Sequence, residues 1–171
     1  MKLPKRKTIR LKDYDYSSPG VYFVTVCTSG HKKYFWDTTK CKMPVRNDNE
    51  VVLSKIGRIV ECAVKNIPKR YSNVSVDKFV IMPNHIHMLI RILSTEDGRP
   101  MVVPTRDGGC APTLSCIIQQ MKGFVTKQIG FPVWQSRFYD HIIRNQKDYN
   151  EKWLYIEYNP INWERDDFYV D

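Results

Sequence analysis

Two histidines separated by one residue stand in Met82-Pro83-Asn84-His85-Ile86-His87-Met88-Leu89-Ile90, directly after a Pro-Asn turn signal. In a strand, residues i and i+2 share a face, so His85 and His87 project to one side while Ile86, Met88 and Ile90 pack on the other. Two imidazoles converging from one strand make half of a metal site. The competing reading is a pair of histidines hydrogen-bonded to their neighbours on a half-exposed strand. A second pair of chemically able residues lies near the C-terminus. Tyr155 and Asn159 are spaced i, i+4, which puts them on one face of a helix. Two imidazoles and an amide oxygen would hold a divalent cation and leave positions for water or a phosphate oxygen. Manganese suits that donor set, magnesium is tolerated, and zinc or nickel would also enter. Tyr155 would then be a nucleophile, with a free phenol pKa of about 10 that needs help at neutral pH. A tyrosine that attacks DNA keeps the bond energy as a phosphotyrosine and can rejoin the strand to another end. Alternatively, Tyr155 is a surface tyrosine with an amide neighbour.

The elements needed to present these residues are readable. Val21 to Thr28 is rich in β-branched and aromatic residues and predicts a first strand buried on both faces. The polar, irregular stretch 31–49 predicts a loop. Leu53, Ile56, Ile59, Val60, Ala63, Val64 and Ile67 recur with helical spacing; Ser54 is the expected N-cap and Pro68 the expected stop. Val74 to Met82 and His85 to Leu93 predict an antiparallel hairpin, with the histidine pair opening a central strand. A long loop at 94–111, carrying three glycines and two prolines, reads either as a gate over a site or as a connection without function. Leu114, Ile117, Ile118, Met121, Phe124, Val125 and Ile129 form the stripe of a core helix closed by Gly130. The segment 133–144 predicts a further strand or extended stretch, with His141 as a hydrogen-bonded structural residue. A last helix should run from the N-cap Asn145 to about Asn159, with Tyr149, Trp153 and Ile156 as its apolar arc.

The 171 residues suit one domain. No apolar run reaches the roughly 18 residues a membrane span needs, and no apolar stretch follows the basic N-terminus as in a signal peptide, so a cytoplasmic protein is expected. Five scattered cysteines without a Cys-x-x-Cys pattern fit reduced, structural thiols. The net charge of +9 favours a polyanionic partner, nucleic acid first, and 12% aromatic residues suit stacking on unpaired bases. The N-terminal arm contributes Lys5, Arg6, Lys7 and Arg10, able to track phosphates or simply to be solvated. Lys122, Gln135 and Lys152 are further candidates for phosphate or base contact.

Taken jointly, Met-Pro-Asn-His-Ile-His, the segment Trp134-Gln135-Ser136-Arg137-Phe138-Tyr139-Asp140-His141-Ile142-Ile143-Arg144, and Tyr155-Ile156-Glu157-Tyr158-Asn159-Pro160 resemble the single-tyrosine HUH transposases, so called for a His-hydrophobic-His motif. Within them the chain looks most like the REP-associated tyrosine transposases, over residues 10–165; its Asp-Tyr-Asp-Tyr-Ser-Ser-Pro-Gly-Val-Tyr-Phe-Val-Thr opening is similar too. The resemblance implies an α+β, ferredoxin-like domain whose central antiparallel sheet carries the HUH strand, with helices packed on the sheet. It implies metal-dependent nicking and strand transfer of single-stranded DNA beside a hairpin, through a 5′-phosphotyrosine. His85 and His87 match the metal ligands, Tyr155 the nucleophile and Asn159 the third ligand, which is glutamine in related insertion-sequence enzymes. Tyr158 competes as nucleophile, but the offset of four from Asn159 favours Tyr155. Magnesium or manganese is the implied cofactor, and a monomer or homodimer the implied state. The organisation expected is a basic arm at 1–18, one catalytic domain at 19–165 and a short tail at 166–171. Two other functions fit the residues: a catalytically silent hairpin-binding module, and a small metal-dependent hydrolase. The hydrolase reading lacks the helical His-Glu-x-x-His of metalloproteases.

Overall fold

The computed structural model describes residues 18–41, 51–94 and 113–169. The basic arm with Lys5, Arg6, Lys7 and Arg10, and nearly all of the long loop at 94–111, lie outside the described residues.

Four strands form one antiparallel sheet: β1 (Gly20–Cys27), β2 (Val74–Ile81), β3 (His85–Ile92) and β4 (Tyr139–Ile143). Their order across the sheet is β2-β3-β1-β4, so the histidine strand and the first strand are the two interior ones. With the helices this is the expected α+β architecture, a sheet covered on both sides. The alternation of side chains along the interior strands divides two cores. Tyr22, Val24 and Val26 of β1 join Ile86, Met88, Ile90 and Ile92 of β3 in the larger one, beneath helices α1 (Lys55–Lys65) and α3 (Leu114–Ile129). Val21, Phe23 and Leu89 face the other way and meet Ile156 of helix α4 (Gln146–Tyr158), with Tyr149 and Trp153 packed alongside. That second face is the one His85 and His87 share.

The helix signals act as their chemistry dictates. The hydroxyl of Ser54 accepts from Gly57 N at 3.0 Å, that of Thr113 from Cys116 N at 3.2 Å, and the amide oxygen of Asn145 from Asp148 N at 2.9 Å. Gly130, at φ 87°, closes α3 in the left-handed conformation that glycine adopts without a Cβ clash.

Pro68 departs from expectation. The first helix ends at Lys65, and Pro68 sits in the first turn of a second, one-turn helix α2 (Ile67–Arg70). At that position its missing N–H is no loss, because first-turn donors have no partner inside the helix. The segment 133–144 also forms less strand than its composition suggests. Only Tyr139–Ile143 pairs with β1, plus one bridge between Trp134 and Thr28. The Lys122 ammonium explains the gap: it donates to the carbonyls of Gln135 at 2.7 Å, Ser136 at 3.5 Å and Arg137 at 3.2 Å, groups a strand would have offered to a neighbour.

One irregularity anchors α4. The β2–β3 register shifts between Val76 and Lys78, leaving Asp77 as the extra residue of a bulge. Its Oδ2 accepts from Arg91 Nη2 at 2.6 Å, Arg91 Nε at 3.0 Å and the Tyr149 hydroxyl at 3.1 Å, tying the helix to the sheet.

Candidate active site

Cross-strand pairing builds the floor of the site. Cys27 stands opposite His85, and Thr25 opposite His87. Both imidazoles are buried, and their Nε2 atoms face each other at 2.9 Å. The second nitrogen of each ring has its own partner: His85 Nδ1 meets Asn84 Oδ1 at 2.8 Å, and His87 Nδ1 meets Thr25 Oγ1 at 2.8 Å. Burial holds His85 down at about 4, against an upward pull from Asp166. Burial first, then His85 and Lys152, hold His87 well below the ordinary imidazole range. Both rings are therefore neutral at neutral pH, the form in which imidazole is a ligand.

Helix α4 forms the wall. The Tyr155 ring stands edge-on to His87, centroids 5.1 Å apart, and to Phe23 at 5.8 Å. Tyr155 is 42% exposed, so one side of the ring packs and the other is open. Tyr158 is more exposed, at 53%. One turn beyond Tyr155, Asn159 is buried.

A residue that sequence reasoning left in the tail joins these groups. Asp166 follows a single 3-10 turn at Trp163–Arg165 and turns back onto the histidines. Its Oδ2 accepts from Asn159 Nδ2 at 2.9 Å and from the Tyr155 hydroxyl at 3.3 Å, while Oδ1 accepts from Phe168 N at 2.7 Å. Burial, then the Asp166 charge, push the Tyr155 phenol up to about 12. The Phe168 ring lies against His85 at 4.8 Å, and Trp163 closes the same side at 6.1 Å. No motif marks Asp166: it follows the Pro160 that closes α4, in a stretch without periodicity, and only the backward turn gives it a role.

The donors fit a divalent cation. His85, His87 and Asp166 each offer an atom within 4.8 Å of the others. Two metal bonds of about 2.1 Å at a right angle set their donor atoms about 3 Å apart, close to the separation of the two Nε2 atoms. Asn159 Oδ1 is buried and, among the described residues, has no hydrogen-bond partner, so one more oxygen acceptor is held without a donor. Two imidazoles with carboxylate and amide oxygens form a mixed set that leaves positions open for a substrate oxygen.

The remaining candidates are dispersed. Lys152 Nζ lies 5.3 Å over the Phe23 ring, at the open side of the site. Gln135 Nε2 donates to His31 Nε2 at 3.2 Å, and Lys122 is turned inward to its three carbonyls. His141 bonds the Asp148 carboxylate at 2.9 Å, the structural role expected of it.

A four-stranded antiparallel sheet with helices packed on it is the fold of a REP-associated tyrosine transposase. The solved structure of one such transposase bound to a REP hairpin superposes with a TM-score of 0.57 at 21% identity, covering 90% of this chain and 74% of that one. The chain is a distant homologue of this group. A REP-associated tyrosine transposase of Escherichia coli K12 is 25% identical over 68% of this chain and 62% of its own length. An uncharacterised protein of Haemophilus influenzae is 36% identical over 97% of this chain and 94% of its own. No protein-family model matches the chain. No helix among the described residues is long and apolar enough to cross a membrane.

Proposed function

We propose that the protein nicks and rejoins single-stranded DNA beside a hairpin, with Tyr155 as nucleophile and a divalent cation, magnesium or manganese, at His85, His87 and the oxygens of Asn159 and Asp166. The observation that supports this most is the meeting of four groups from three elements: two imidazoles of β3, a phenol of α4, and the Asp166 carboxylate that touches the phenol. The Escherichia coli relative bears the name of a tyrosine transposase, and the superposed structure holds a DNA hairpin.

A bound cation would polarise a phosphate oxygen and offset charge in an in-line displacement. The chain's own residues do the rest. Tyr155 Oη attacks phosphorus, the P–O3′ bond breaks, and the leaving strand keeps a 3′-hydroxyl. Asp166 Oδ2, already in hydrogen-bond reach, takes the phenol proton, which ends on the departing 3′ oxygen. Phe23 and His87 hold the ring edge-on, so the hydroxyl has little freedom to wander. Lys152 and the arm residues Lys5, Arg6, Lys7 and Arg10 neutralise phosphates; Lys122 holds the carbonyls of 135–137, and Gln135 bonds His31.

The test is incubation with single-stranded hairpin DNA and manganese. A covalent protein–DNA adduct is expected, and Tyr155→Phe should abolish it. An adduct surviving in the phenylalanine variant would exclude Tyr155 as the nucleophile. Salt-sensitive hairpin binding with no nick under magnesium or manganese would favour a silent binding module.

A further inference from the structure

Asn84 reaches two main-chain carbonyls with one nitrogen. Its Nδ2 lies 2.7 Å from Phe168 O and 3.2 Å from His31 O. Only a donor is stable facing two carbonyl oxygens, so this atom is the amide nitrogen and the other, Oδ1, is an acceptor. Oδ1 meets His85 Nδ1 at 2.8 Å, which must therefore carry the ring's hydrogen. His85 is left with a bare Nε2. Only one hydrogen fits between the two Nε2 atoms at 2.9 Å, and it belongs to His87. His87 Nδ1 is then bare and accepts from the Thr25 hydroxyl. These hydrogens are assigned from the bonding network.

The two rings thus differ. His85 already presents a lone pair toward the centre of the site, whereas His87 presents a hydrogen. His87 can become a ligand only as its other tautomer, with hydrogen on Nδ1. Thr25 permits this, because a hydroxyl donates or accepts as it rotates, and the same 2.8 Å contact serves both tautomers. Asn84 has no such freedom, being fixed by Phe168 and His31.

We propose that Asn84 and Thr25 are positioning residues of the metal site: Asn84 locks His85 in the ligand tautomer, and Thr25 lets His87 switch into it. This inference rests on the metal-site reading above. It also makes the C-terminal turn part of the site, since Phe168 O is one of the two oxygens that orient Asn84. Partners on the far nitrogen of a metal-bound histidine commonly contribute 10–100-fold to affinity.

The experiment uses the full chain with 15N-labelled histidine and long-range proton–nitrogen NMR, which reads each ring's tautomer. Without metal, His85 should carry hydrogen on Nδ1 and His87 on Nε2. Adding zinc as a diamagnetic probe should move His87 to the Nδ1 form and leave His85 unchanged. Asn84→Ala should release His85 to a mixture of tautomers and weaken manganese binding, read by electron paramagnetic resonance, about 10–100-fold. Thr25→Val should weaken manganese binding by a similar factor, and Thr25→Ser should restore it. Hydrogen on His85 Nε2 in the metal-free protein would overturn the proposal, as would manganese affinity unchanged in both Asn84→Ala and Thr25→Val. Loss of the DNA adduct result alone would overturn the nicking chemistry and leave these tautomers standing.

Discussion

Asp166 accepts from the phenol of Tyr155 and sits with His85 and His87, so one carboxylate touches the two halves of the site. Its charge opposes ionisation of Tyr155, second only to burial. Asp166→Asn removes that charge and should bring the phenol down from about 12 toward 10, followed by NMR of 13C-labelled tyrosine. The sign of the linked stability follows. A phenol whose folded pKa exceeds its unfolded value contributes fully below about 10, and the contribution is lost as pH rises toward 12. Wild type should therefore lose stability over that alkaline window more steeply than Asp166→Asn. An identical alkaline limb in both would show that Asp166 does not govern the phenol.

Helix α1 carries a glycine whose purpose lies outside the helix. A Cβ on Gly57 would come within 2.1 Å of the Phe35 carbonyl oxygen, which also accepts from Ser54 N at 2.8 Å. Alanine ordinarily gains about 1 kcal/mol over glycine inside a helix. Here the obstacle is backbone that cannot swing aside, so Gly57→Ala should lose about 1–3 kcal/mol in urea unfolding. On the opposite face, the Asp77 bulge fastens α4 to the sheet. Burial would raise the Asp77 carboxyl, but bonds from Arg91, Ser75 and Tyr149 outweigh it and hold it below 3.8. Its stabilising contribution is thus present above that value and fades as pH falls through the lower folded pKa. Asp77→Asn should be less stable at neutral pH and show a flatter acid limb below pH 3.8, measured by denaturation at successive pH values.

For the molecule as a whole, the charge of +9 acts over the distance at which the proposed DNA hairpin would first be met. Hairpin affinity should fall as salt rises, with a slope of log affinity against log salt of roughly −0.7 for each phosphate neutralised on a single strand. Removing the basic arm takes away Lys2, Lys5, Arg6, Lys7, Arg10 and Lys12 and should flatten the slope by up to about 4. An unchanged slope would remove the arm from the interface. At subsaturating DNA, the single-strand nicking assay should respond more to arm removal at low salt than at high salt, because salt screens the attraction the arm would supply.

Periodicity and capping made most of the architecture legible from the residues alone. Alternation along 85–92 placed both histidines on one strand face, and the apolar arc of Tyr149, Trp153 and Ile156 is the one α4 packs with. Such patterns are local, because a strand or helix repeats every two or 3.6 residues. The break at Asn66 and the short extent of β4 escaped that logic, since they depend on where Pro68 falls in a turn and on which carbonyls Lys122 reaches. Asp166, Asn84 and Thr25 were invisible as site residues for the same reason. Sequence determined the donors and the elements that carry them; tertiary folding alone decided which carboxylate returns to the histidines and which nitrogen of each ring keeps its hydrogen, because those contacts span 11 to 84 residues of chain.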